Sequence, residues 1–178
     1  FDVVVLAANV IDQLIGSGRV VAGSRKDLVR SGVSIAVRAG APHPVIDSEQ
    51  ALRQTLLAAG SIGYSTGPSG SALIALLERW GVMAQLKDRL VLARPGHPVG
   101  KLLADGQVQI GFQQLSELMS LPGIDVIGPM PPGLEIITTF SAGLCAASTQ
   151  VTQTASLIEY LGSAQAAAIK QRNGMEPA

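Results

Sequence analysis

Aromatic side chains are scarce in this chain: Phe, Trp and Tyr together make up 3% of its 178 residues. Sugar and nucleobase sites rely on flat apolar groups for stacking, so this scarcity argues for a small polar solute. Cys145 is the only cysteine, which excludes an internal disulfide. Within the run "AGLCAAS" it is expected to act as a small buried hydrophobe, because only His43 and His97 exist to activate a thiol. Neither sign of charge is in excess: 13 basic and 13 acidic side chains cancel. That balance gives no basic footprint for nucleic acid and no polybasic attraction to a membrane surface. The longest apolar run falls short of a bilayer span. Catalytic sets are missing as well. There is no G-x-S-x-G elbow, no His/Cys/Asp cluster at metal-ligand spacing and no evident carboxylate pair, so neither an enzyme nor a metal or cofactor is expected.

What the chain does have is apolar bulk, 47% of residues, with a charged share of 15% that excludes disorder. A chain of 178 residues suits one domain or two small lobes and buries a core without staples. "DVVVLAA" (2–8) reads as a strand buried on both faces, and Asn9 with Asp12 as the cap of a following short helix. "SGVSIAVRAG" (31–40) is a further β segment, and Asp47 or Ser48 caps the amphipathic "SEQALRQTLLAAG". "SIGYS" (61–65) is a short strand that feeds a helix over 69–80, ended by Gly81. "RLVLA", "VQIGF" and "IDVIG" read as strands, "KLLADG" and "QQLSELMSL" as short helices. "LEIITTFSAGLCAA" (134–147) returns to β, and two helices follow, the second capped by Ser163. β and α elements alternate over short connections, which predicts a mostly parallel sheet covered by helices. Ligands of such sheets lie beyond the carboxyl ends of the strands.

Three strand-to-helix loops meet that description. "STGPSGS" (65–71) joins glycines, which let an anion approach backbone N–H groups, to the neutral hydroxyls of Ser65, Thr66, Ser69 and Ser71. The first N–H groups of a helix lack internal partners and carry the positive end of its dipole, so the loop suits an oxyanion. The plainer alternative is N-capping by Ser69 ahead of a permissive turn. The lysine of a nucleotide-hydrolase phosphate loop and the dinucleotide pattern G-x-G-x-x-G are both absent. "RPGHPVGK" (94–101) could line the same cleft with its backbone, with charge from Arg94, His97 or Lys101, or could be a solvated loop. "GFQQLSE" (111–117) sets Gln113 and Gln114 just past a strand end, where an amide could donate to a solute or cap the next helix.

Taken in order, these segments resemble the periplasmic molybdate-binding proteins of ABC importers, within the type II periplasmic-binding-protein fold. "FDVVVLAANVIDQLIGSGRV" is similar to their first-lobe strand and helix, and "DLVRSGVSIAVRAGAP" to the strand running into the second lobe. "AAGSIGYSTGPSGSALIALLERWG" resembles the second lobe's strand, loop and helix, and "LLADGQVQIGFQQLSEL" the segment that follows. The tail "LIEYLGSAQAAAIKQRNGMEP" resembles the closing helix and glycine turn. The resemblance implies a two-lobed α/β protein. Residues 1–37 with 141–178 would form an incomplete first lobe, lacking the family's opening β-α-β portion, and residues 38–140 the second. It implies hinges near Ala36–Gly40 and Phe140–Gly143, and a periplasmic protein that captures a small oxyanion such as molybdate for a membrane permease. By position it implies ligand contacts at Ser69, Gly70, Gly96, His97, Val99 and Gln114, the last standing where the family has a tyrosine. An incomplete lobe would leave a sheet edge near Val3–Ala7, open to a second copy of the chain. The same fold also serves the ligand-sensing domains of LysR-type regulators, which is the alternative function.

Overall fold

Strands and helices alternate along most of the chain. A computed structural model describes residues 1–94 and 96–178. The chain divides into two compact units, Phe1–Ser31 with Thr138–Ala178, and Gly32–Ile137. It passes between them within one long strand and near the start of another, upstream of both stretches expected as hinges.

The second unit holds the sequence's loop-bearing segments. Strands β1 (Val3–Ala7) and helix α1 (Ala8–Gly16) precede β2 (Lys26–Arg38), whose trailing half enters this unit. There follow α2 (Glu49–Ala58), β3 (Ile62–Tyr64), α3 (Pro68–Arg79), α4 (Met83–Leu86), β4 (Leu90–Leu92), α5 (Val99–Ala104), β5 (Ile110–Gln114), α6 (Leu115–Leu118) and β6 (Ile124–Pro129). Ser48, not Asp47, caps α2, accepting from the Ala51 N–H at 3.2 Å. β3 pairs in parallel with β4 and β5, Tyr64 standing opposite Leu92 and Phe112. This is the arrangement that strand–helix–strand units enforce. β2 runs antiparallel to β5 and β6, so the expected parallel order holds around β3 and gives way beside β2.

The core of this unit is built from Ile35, Leu52, Leu56, Ile62, Leu73, Leu77 and Phe112, all of them buried. On the other side of the sheet α5 settles against Gly111, where an added Cβ would lie 2.5 Å from a Val99 methyl. A side chain at that point of β5 would lift the helix, so glycine there sets the helix-to-sheet distance.

The first unit takes its strands from both ends of the chain. β1 lies outside β7 (Ile137–Leu144), antiparallel, with Val3 opposite Leu144. β8 (Glu176–Pro177) pairs antiparallel with the leading half of β2. Helices α7 (Val151–Gly162) and α8 (Ala167–Arg172) follow β7, and Leu28, Val29, Ala142, Leu144 and Ile158 form a small core. Several expectations need correction here. β1 is not buried on both faces: it pairs on one side, and Val5 and Leu6 are 49% and 38% exposed. No side chain caps α1; Asp12 instead pairs with Arg25 at 2.7 Å. Ser163 caps nothing either, its hydroxyl donating back to the Tyr160 carbonyl. Cys145 is half-buried, because it lies just past the end of β7, bridged to Val20.

Candidate functional site

The carboxyl ends of β3, β4 and β5 lie side by side, and the loop leaving β3 enters α3 there. Gly67 precedes the helix and Pro68 opens it, its fixed φ and missing N–H suiting a first helical position. No side chain caps α3. The N–H groups of Gly70 and Ser71 turn back to the Gly67 carbonyl at 3.0 and 3.2 Å. Those of Thr66, Gly67 and Ser69 have no hydrogen-bond partner among the described residues. A twelve-residue helix thus presents its positive end here without a capping side chain.

Capping by Ser69 is therefore overturned. Ser69 lies inside the helix, 1% exposed, and its hydroxyl donates to Gln114 Oε1 at 3.1 Å. A hydroxyl has one proton, so in the 2.7 Å contact between Ser65 and Ser69 it is Ser65 that donates. The chain Ser65–Ser69–Gln114 fixes three residues separated by 49 positions and ties the start of α3 to the end of β5. Gln114 is 4% exposed, and its Nε2 donates to no group among the described residues.

Gly70 permits the tight fold of the loop. An added Cβ there would fall 1.7 Å from the Ser65 carbonyl oxygen and 3.2 Å from the Tyr64 ring. Tyr64, Ser65, Thr66, Gly70, Ser71, Ile74 and Leu92 surround an open cavity of about 370 Å³. Its lining is mixed: the Ser65, Thr66 and Ser71 hydroxyls and the backbone at the start of α3 are polar, while Ile74, Leu92 and the Tyr64 ring are apolar. No charged side chain is among these lining residues, so the favourable potential for an anion comes from backbone dipoles.

Of the expected ligand residues, the structure gathers Ser65, Thr66, Gly70 and Ser71 around the cavity and places Ser69 and Gln114 in the hydrogen-bond chain behind it. Val99 is otherwise engaged: its N–H donates to Gln113 Oε1 at 3.0 Å, and Gln113 Nε2 in turn donates to Glu117. Gln113 thereby positions the start of α5 rather than facing a solute. Gly96, with φ +81°, and the exposed His97 are not among the cavity's lining residues. Pro95 lies outside the described residues. Tyr64, Ile74 and Leu92 escaped the sequence reading. Ile74 stands four positions after Gly70, on the same helix face, and that spacing is a signal for it. Leu92 reaches the cavity only through the β3–β4 register.

The family model for bacterial extracellular solute-binding proteins matches residues 1–176. This chain belongs to that family. The solute-binding protein is 39% identical over 178 residues to an aconitate isomerase from a Pseudomonas species, covering 99% of this chain and 67% of that one. Among solved structures it is similar to the periplasmic molybdate-binding protein of Azotobacter vinelandii, with a TM-score of 0.75 at 19% identity, over 98% of this chain and 78% of that one. It is also similar to the sulfate-binding protein SubI of Mycobacterium tuberculosis, with a TM-score of 0.74 at 18% identity, over 99% and 69%. These likenesses show the fold, which carries different solutes in different members. Among the described residues no helix is long and apolar enough to cross a membrane, and no group of three or more His, Cys, Asp or Glu is placed to hold a metal.

Proposed function

We propose that this solute-binding protein captures a small, multiply charged organic anion of the aconitate class at the start of α3 and delivers it to the permease of an importer. The observation that carries this reading is the mixed polar and apolar lining of the cavity. The hydroxyls of Thr66 and Ser71 and the unpaired Thr66 N–H address carboxylate oxygens, while Tyr64, Ile74 and Leu92 offer apolar surface to a carbon skeleton. A tetrahedral oxyanion such as molybdate has no carbon skeleton to place there. The 39% identity to an aconitate isomerase supports the same choice. Neutral donors hold an anion with less desolvation than an ion pair demands, and their placement sets selectivity.

Calorimetric titration of the chain with cis-aconitate, trans-aconitate, molybdate and sulfate tests this. Saturable heat with an aconitate isomer is expected. Heat with molybdate or sulfate alone would return the site to inorganic oxyanions, and heat with none would remove the capture site altogether. The same identity favours a second reading, interconversion of the aconitate isomers. Proton spectra of each isomer incubated with the protein read it directly: conversion makes the chain an enzyme, and a bound but unchanged isomer leaves it a carrier.

A further inference from the structure

The largest cavity described for the second unit, about 530 Å³, is not the one discussed so far. It lies at the amino ends of β3 and β5, opposite the carboxyl ends where α3 begins. Its walls come from the end of β2, the turn after it, the end of α2 and the residues leading into β5.

The chemistry of this cavity is one-sided. Val37, Val108 and Ile110 back the cavity but are almost wholly buried in the cores on the two sides of the sheet, so its accessible apolar lining is Ala41, Pro42, Pro44 and Ala59, with Ala58 at the exposed margin. Pro42 and Pro44 form a wall that has no N–H and little backbone freedom, so the cavity is in place before anything enters. Two side chains at the wall carry unengaged donors. The Arg38 guanidinium makes no hydrogen bond and no ion pair among the described residues. Gln109 uses Oε1 to accept from the Gly60 N–H at 2.7 Å, leaving its amide N–H₂ without a partner among the described residues. Thr55 has its hydroxyl proton committed to the Val45 carbonyl at 2.8 Å. The guanidinium has room because residue 106 is glycine: a Cβ there would lie 3.3 Å from Arg38 Nη1. No acidic side chain is among the lining residues.

We propose that this cavity is a second small-molecule site, which takes a monocarboxylate carried on an apolar body. The carboxylate meets Arg38 and the Gln109 amide, and the apolar body lies on Ala41, Pro42, Pro44 and Ala59. An arginine fork matches a carboxylate in two parallel hydrogen bonds, and the apolar lining buries what the carboxylate end leaves exposed. The site is independent of the aconitate reading, because it shares no lining residue with the cavity at α3.

The test uses octanoate as the probe, with octanol as the uncharged control, by calorimetry and by amide chemical-shift mapping on the intact chain. Octanoate should bind once per chain, shift amides at 37–44, 58–60 and 106–110, and bind at least tenfold more tightly than octanol. Arg38→Gln should weaken it by about tenfold or more, the scale of a lost hydrogen bond to a charged group. Ala58→Phe should abolish it by filling the mouth. Both residues are exposed, so melting curves should coincide with the parent's. Aconitate in excess should not displace octanoate. Absence of binding, equal affinity for octanol, unchanged affinity in both variants, or displacement by aconitate would each overturn the proposal.

Discussion

At the scale of single residues, the site is governed by what is left out of it. Gly70 has ordinary helical geometry, yet its missing side chain is what allows the Ser65 carbonyl to lie against the helix. Gly70→Ala should therefore force residues 65–67 away from α3 and part Ser65 from Ser69. An overpacked position typically costs about 1–3 kcal/mol, and a backbone oxygen 1.7 Å from the new methyl places this one at the upper end. Urea denaturation should show a lowered midpoint at unchanged slope, with anion binding weakened in parallel. Gly67→Ala is the matched control: φ is −84° and an added Cβ meets nothing within 4 Å. It should stay within about 1 kcal/mol of the parent, since alanine is only a poorer N-cap than glycine. Equal losses in the two variants would show that the close approach at Gly70 does not hold the loop.

At the scale of elements, the lobe carrying the site depends on how α2 ends. The Arg89 guanidinium donates to the carbonyls of Leu57 and Ala59 at 2.9 and 2.8 Å, and to that of Gln85 at 2.8 Å. It thus closes the last turn of α2, which no glycine or side chain of its own satisfies, and ties it to the turn before β4. Arg89→Met keeps the apolar stem and removes these donors. It should cost about 1–3 kcal/mol in urea denaturation, the range for half-buried carbonyls losing their partners. A smaller effect would show that water replaces the guanidinium. The sequence displayed the elements whose signals are local: Ser48 before α2 and Gly81 at the end of α3 are legible from side chains a few residues apart, whereas α3 begins at Pro68 instead of the expected Ser69. It concealed what depends on distant partners. Ser69 has the residue type and position of a cap, but Gln114, 45 positions away, claims its hydroxyl. Val99 looked like a free donor until Gln113 was seen to hold it. Ser65 to Ser71 were legible as neighbours because they are contiguous; Leu92 beside them follows from a strand register that no local pattern encodes.

At the scale of the molecule, the first unit is closed by groups far apart in the chain, and these give it a pH dependence. Arg25 lies between Asp12 and Asp27, donating to both at 2.7 and 2.9 Å, and Ser141 donates to Asp27 at 2.6 Å. Arg25 and Asp27 thus link residues from α1, the start of β2 and β7. The Ser141 hydrogen bond, followed by the Arg25 guanidinium against the desolvation of partial burial, holds Asp27 below the ordinary carboxylate range. A carboxyl group whose folded pKa is depressed binds protons more readily when unfolded, so its contribution is present above the unfolded value, about 3.9. It disappears as pH falls through the lower, folded value. Asp27 is partly exposed, so solvent screening keeps the effect modest. The parent should therefore melt higher than Asp27→Asn at pH 7, and the two curves should converge as pH drops from about 4 towards 2. Ser141→Ala should remove part of the same difference, since the first cause of the shift is its hydroxyl. A gap between parent and Asp27→Asn that persists unchanged to pH 2 would assign the stability to packing around residue 27. In that case the carboxylate would be a passive neighbour of Arg25, and the junction of the three segments would rest on the apolar contacts of Leu28, Ala142 and Leu144 alone.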